Sequence, residues 1–251
     1  MKERVRWERA LRGESVDRPP VTLWQHRPGD EDRGTALAAA ALHFQHLYHW
    51  DALILPARAP GTMEVEEAVR AVSLVRRGIG PALPLIQVLH GPRAHDDSPS
   101  RRDFPRAVEA IRHRVEALFR AGIDGILYVL EGVDEASLWE AHREILDAAH
   151  ARGYVLLHVH GPLRDPAWVE TLPVHAVGWH GAPDGGEGLT LPRMGGISPQ
   201  RLATASPAEI VQTIQQAMRR YGRALIVTAS CAVPVDVPAV NLRALRAAVE
   251  L

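Results

Sequence analysis

The chain has almost no cysteine and few aromatic residues. Cys231 is the one cysteine among 251 residues, so no internal disulfide can form, which agrees with a reducing compartment. Long apolar runs are missing too. Stretches such as YVLL and ALIVTA are far short of the roughly 20 residues a bilayer-spanning helix needs. The amino terminus, MKERVRWERAL, lacks the apolar core of a signal peptide, so a cytoplasmic protein is expected. Neither sign of charge dominates: 29 Lys and Arg face 30 Asp and Glu, a formal net charge of −1. Nothing in that balance attracts nucleic acid or an anionic membrane. Hydrophobic residues make up 46% and charged residues 24%, the composition of an ordinary globular chain with material for a sizeable core. Phenylalanine occurs only three times but histidine thirteen times, so where the histidines fall is informative.

Eight short runs rich in strand-forming residues recur along the chain: 20–26, 51–56, 83–91, 125–132, 154–161, 175–181, 189–197 and 223–231. Stretches with helical spacing of apolar residues separate most of them, the alternation of a parallel sheet with crossover helices. FPRAVEAIRHRVEALFRAG and DEASLWEAHREILDAAHARG each close at a glycine suited to a C-cap, and SPAEIVQTIQQAMRRYG opens with Ser206 and Pro207, an N-cap and first-turn pair. APDGGEG, between the sixth and seventh runs, has no room for a helix. The pattern predicts an α/β protein, a (β/α)8 barrel, whose active site lies at the carboxyl ends of its strands.

Those ends carry His26, His90, Glu131, His158, His160, His180, the Gly195–Gly196 turn and Cys231. In VLLHVHGPLRD the two histidines are two positions apart, so both imidazoles point to one face of the strand. His158, His160 and Cys231 would supply the three protein ligands of a catalytic zinc site. The alternative is a hydrogen-bonded histidine in the barrel and a small buried thiol. Glu131 reads as a general acid, a metal ligand or its partner, or as a solvated rim carboxylate. His180, next to Trp179, reads as a substrate contact or a structural hydrogen bond. Gly195 and Gly196 either let backbone amides approach an anionic group of a ligand or make a tight turn for packing. His43, His46 and His49 recur at helical spacing and read as a helix face.

ERVRWERALRGESVDRPPVTLWQH resembles the amino-terminal signature of the uroporphyrinogen decarboxylase superfamily. RMGGISPQRLATASPAEI is similar to its seventh strand and following helix, and LIVTASCAVPVDVPAVNLRALRAAVE to its last strand, proline-rich loop and closing helix. The resemblance spans nearly the whole chain, which is shorter than typical members. It implies one (β/α)8 barrel domain over 1–251 and, since members often dimerise, a homodimer. In the decarboxylase branch, arginines after the first strand and an aspartate after the second hold an acidic tetrapyrrole. Here Gln25 and Gly29 fall where the arginines would be, Arg58 where the aspartate would be, and Cys231 where a histidine would be. Arg27 and Arg33 only partly replace that charge, which makes uroporphyrinogen a poor fit.

The other branch contains zinc-dependent methyltransferases that move a methyl group between a corrinoid protein and a thiol, with a His-x-Cys motif and a distant Cys as ligands. HVHG and TASCAVP match it at His158 and Cys231, with His160 in place of the middle cysteine. The resemblance therefore implies a metal-dependent methyltransferase acting on a small molecule, with a corrinoid partner protein as methyl donor. Two further readings stay open: a cofactor-free decarboxylase or lyase holding a carboxylate with Arg58 and His26, and a barrel that binds a ligand without turnover.

Overall fold

The computed structural model describes residues 1–26, 29, 33–57, 64–92, 104–131, 139–161, 163, 165–182, 184 and 186–250. Seven of the eight β-rich runs form strands: β1 (Leu53–Leu55), β2 (Leu85–His90), β3 (Gly125–Leu130), β4 (Tyr154–Val159), β5 (Ala176–Trp179), β6 (Arg193–Ile197) and β7 (Leu225–Ala229). They pair in parallel in chain order, β1 to β7. The eighth run, 20–26, lies between the two edges of this sheet. Val21 and Gln25 bridge Val227 and Val233, Val227 N–H donates to the Pro20 carbonyl, and Asp51 N–H beside β1 donates to Val21. The ring thus closes through isolated bridges where a regular strand was expected. Pro19 and Pro20 have no N–H to give, which shortens any ladder at this point.

Strand side chains alternate between two layers. Ile54, Ile86, Val88, Leu127, Val129, Leu156 and Ile226 point inward into one apolar cluster, which α1 (Glu3–Leu11) closes at the amino-terminal end with Trp7 and Leu11. Leu53, Leu85, Ile126, Tyr128, Leu157 and Val177 point outward. There they meet the apolar faces of α2 (Gly34–Tyr48), α3 (Val65–Ile79), α4 (Phe104–Ala121) and α5 (Trp139–His150). After β4 come the short α6 (Pro166–Val169) and, beyond β6, α7 (Pro199–Thr204), α8 (Pro207–Tyr221) and α9 (Ala239–Ala247). Ser206 caps α8, as the sequence predicts, and the structure adds Glu209 as its capping-box partner. Between β5 and β6 the described residues form only turns, in keeping with the missing helix.

The plug at the bottom is fastened by ions. Asp51, 1% exposed, accepts from Arg6 Nη1 at 2.7 Å, Arg18 Nη1 at 2.6 Å and Val21 N–H at 2.8 Å. One carboxylate therefore joins α1, the closing segment and the entry to β1. With this end sealed, the opposite, carboxyl-terminal end of the sheet is the mouth.

Candidate metal centre

Strand register determines which side chains reach the mouth. Within the inward-facing set, His90 on β2 is level with Val129 on β3, Val129 with His158 on β4, and His158 with Gly178 on β5. Two residues further along their chains, Glu131, His160 and His180 take the same face one level higher. Gly178 has no side chain, and a Cβ there would lie 3.0 Å from the Met194 carbonyl oxygen and 3.8 Å from Nδ1 of His158, so the glycine permits close packing of β4, β5 and β6.

Three potential ligand residues converge there. Ligand atoms of His158, His180 and Cys231 all lie within 4.8 Å of one another. His158 is buried, Cys231 half-buried and His180 exposed, a gradient from the barrel interior outward. His160, exposed just past β4, is outside that trio, but its ring centroid is 4.6 Å from that of His180 and 6.2 Å from that of His158. The chain turns sharply after both exposed histidines. Gly161 (φ 146°) follows His160 and Gly181 (φ 90°) follows His180, backbone angles glycine adopts readily. The His180 N–H donates to the Gly161 carbonyl at 3.0 Å, tying the two strand ends together.

The electrostatics of the two imidazoles suit metal ligation, whereas those of the thiol favour its protonated form until a metal binds. Burial, reinforced by the neighbouring imidazoles of His180, His160 and His90, pushes His158 down to about 3. Burial and the charge of His160 also lower His180. Both rings are therefore neutral, the form that offers a lone pair to a metal. Burial raises the Cys231 thiol, an Ala232 backbone hydrogen bond opposes that, and Glu131 adds to it. Two imidazoles and one sulfur form a zinc-competent donor set that leaves a coordination position for a substrate.

The walls are made of other strand-end residues. Trp24 presents its ring edge-on to both His26, at 5.4 Å between centroids, and His158, at 5.8 Å, so His26 stands on the closing segment beside the trio. His90 donates from Nε2 to the Ala57 carbonyl at 3.1 Å, a group that can only accept, and its Nδ1 lies 3.4 Å from Glu131 Oε1. The structure thus supplies a partner for Glu131 that sequence reasoning left unassigned. Gly195 and Gly196 are buried in β6. A Cβ on Gly195 would lie 2.5 Å from the Ala182 carbonyl oxygen, and the Gly196 N–H donates to that same carbonyl at 3.2 Å, so both glycines serve close packing. Arg58 and Arg27 lie outside the described residues. His43 and His46 lie on the exposed side of α2, and His49 caps it; none joins the ligand group.

His180 is the ligand candidate that sequence spacing did not single out. The signal was present: Trp179–His180–Gly181 ends β5 as Val159–His160–Gly161 ends β4, and His180 shares the parity of the inward-facing Gly178.

No protein-family model matches the chain, and no curated protein does. Among solved structures it is similar to a methyltransferase from Methanosarcina mazei, with a TM-score of 0.82 at 18% identity, covering 100% of this chain and 98% of that one. A 6-hydroxypseudooxynicotine amine oxidase from Pseudomonas geniculata N1 gives 0.53 at 13% identity over 91% of this chain and 48% of its own. Histamine dehydrogenase from Rhizobium sp. 4-9 gives 0.52 at 11% over 82% and 42%. At such identities these likenesses establish the fold: a parallel α/β barrel of the (β/α)8 kind.

Proposed function

We propose that the chain is a metal-dependent, methyltransferase-type enzyme working at the barrel mouth, with zinc held by His158, Cys231 and a third imidazole. The observation that carries this reading is the convergence of His158, His180 and Cys231 within 4.8 Å. The likeness to a methyltransferase over the whole chain supports it, and so does the match of HVHG and TASCAVP to the zinc motif of the corrinoid methyltransferases. The motif assigns the third position to His160; the geometry favours His180, with His160 packed against its ring. Bound zinc would lower the pKa of a substrate thiol and so make it a better nucleophile. With two neutral imidazoles and one thiolate the site carries less negative charge than a His-Cys-Cys site and activates a thiolate more weakly.

The chain's own residues have separable tasks. His158, fixed in β4, and Cys231, just past β7, hold their donor atoms from strands separated by β5 and β6. Glu131, in contact with His90, takes up the proton that a thiol substrate gives up on binding. Trp24 and His26 form the wall against which a small substrate lies. A corrinoid carried on a partner protein as methyl donor is inherited from the family resemblance.

The test is elemental analysis of protein purified without chelator or affinity tag. About one zinc per chain, lost in His158→Ala and Cys231→Ala variants that keep the wild-type circular dichroism, is the expected result. Absence of metal after incubation with zinc would overturn the proposal and leave the decarboxylase and ligand-binding readings.

A further inference from the structure

Beneath the ligand trio the barrel interior holds a small cavity that admits a water-sized molecule, lined among others by His158, Thr228, Ser230, Trp24, Gly178 and Met194. Thr228 sits at an inward position of β7, two residues after Ile226 of the interior cluster, and is 2% exposed. Its hydroxyl oxygen has no hydrogen-bond partner among the described residues. The same holds for Nε2 of His158, which is 4% exposed. Two buried polar atoms on the lining of one cavity, both without partners, form a matched pair, because a buried water is stable where it gains two or more such partners.

The other nitrogen of His158, Nδ1, lies on the β5 side. A Cβ placed on Gly178 would come within 3.8 Å of Nδ1, so Nδ1 borders β5, the strand that carries His180 at its end. We propose that Thr228 is a positioning residue for His158: one water held by its hydroxyl accepts a hydrogen bond from His158 Nε2–H, favouring the tautomer that leaves the Nδ1 lone pair, on the β5 side, for a ligand. A ligand histidine whose second nitrogen is anchored in this way is biased towards one orientation and tautomer, which raises its affinity for a metal. No proton is gained or lost in the arrangement; the imidazole stays neutral throughout. The consequence for metal affinity rests on the function proposed above, whereas the tautomer does not.

The experiment uses the full chain with 15N-labelled histidine, first metal-free at neutral pH. Its NMR spectrum should show His158 as the Nε2–H tautomer. Thr228→Val, which keeps the shape and removes the hydroxyl, should shift that signal towards a mixture of tautomers, and Thr228→Ser should restore it. In competition with a chromophoric chelator, the valine variant should bind zinc about tenfold to a hundredfold more weakly than wild type and the serine variant nearly normally. A wild-type His158 protonated at Nδ1 would overturn the proposal without any variant, even if Thr228→Val does not fold. An unchanged tautomer in Thr228→Val would overturn it as well, whatever happens to affinity. If the wild-type chain binds no zinc while the tautomer responds as described, the metal reading fails and the positioning role of Thr228 stands.

Discussion

At the scale of single residues, the mouth separates two histidines that the sequence treats alike. His160 and His180 each end a strand, precede a glycine and share the inward parity, yet only His180 belongs to the trio within 4.8 Å. A His180→Ala variant should therefore lose most of its bound zinc, while His160→Ala should retain it with modestly weaker affinity, since His160 packs on the His180 ring at 4.6 Å. Metal content and chelator competition on the two variants decide this; retention by His180→Ala together with loss by His160→Ala would return the third position to the one the motif assigns. The site was legible as far as strand ends reach, with parity added for His158 and Glu131, which is why these two and Cys231 stand at the mouth. Which of several imidazoles come within ligand distance depends on barrel curvature and on the turn angles at Gly161 and Gly181, and linear spacing encodes neither. Thr228 was invisible for a related reason. A threonine in a strand is ordinary, and its lack of a partner appears only once the interior is packed around it.

At the scale of elements, the joint between β3 and α5 holds a titratable group in the outer layer. The Tyr128 hydroxyl and His142 Nδ1 are 2.6 Å apart in the outer layer, and burial pushes His142 down to about 4. Its folded pKa is depressed below the unfolded value of about 6.5, so between those values the unfolded chain binds more protons than the folded one. This contribution to stability is therefore complete above pH 6.5 and declines as the pH falls towards 4, by on the order of 3 kcal/mol at most. The thermal midpoint should drop over that window, and His142→Asn, which keeps an acceptor for Tyr128, should flatten the drop; an equal slope in both proteins would refute the assignment. Element identity itself was largely readable. Seven of eight strands, the turn-only link between β5 and β6, and the Ser206 cap follow from local composition, because β-branched runs and capping residues act over a few positions. The run at 20–26 has the composition of a strand but its pairing is set by Pro19 and Pro20 and by two sheet edges distant in the chain, so it makes only bridges.

At the scale of the whole molecule, closure makes the two ends of the barrel depend on each other. The segment at 20–25 touches β7 on one side and the entry to β1 on the other, and Asp51 binds it to Arg6 of the α1 plug. Removing that carboxylate leaves Arg6, only 6% exposed, with Asp17 and the Met1 carbonyl as partners, takes a partner from Arg18 and the Val21 N–H, and loosens both the plug and the seam. Asp51→Ala should accordingly cost about 3 kcal/mol in chemical denaturation, the low end of the range for breaking a buried ion pair from one side, because Arg6 keeps Asp17. The loss should not stay local. Trp7, Trp24 and the inward residues of β2, β3, β4 and β7 share one interior cluster, which runs from the plug to the floor of the mouth. If the whole chain is one domain, amide exchange in α1, which reports the plug, and amide exchange in β4, which reports the layer carrying His158, must move to lower denaturant together in the variant. Two separate midpoints would mean that the plug unfolds by itself and that the mouth is built on an independently stable half of the ring. A single shifted transition would mean that one buried carboxylate at the bottom helps hold the ligand residues in register at the top.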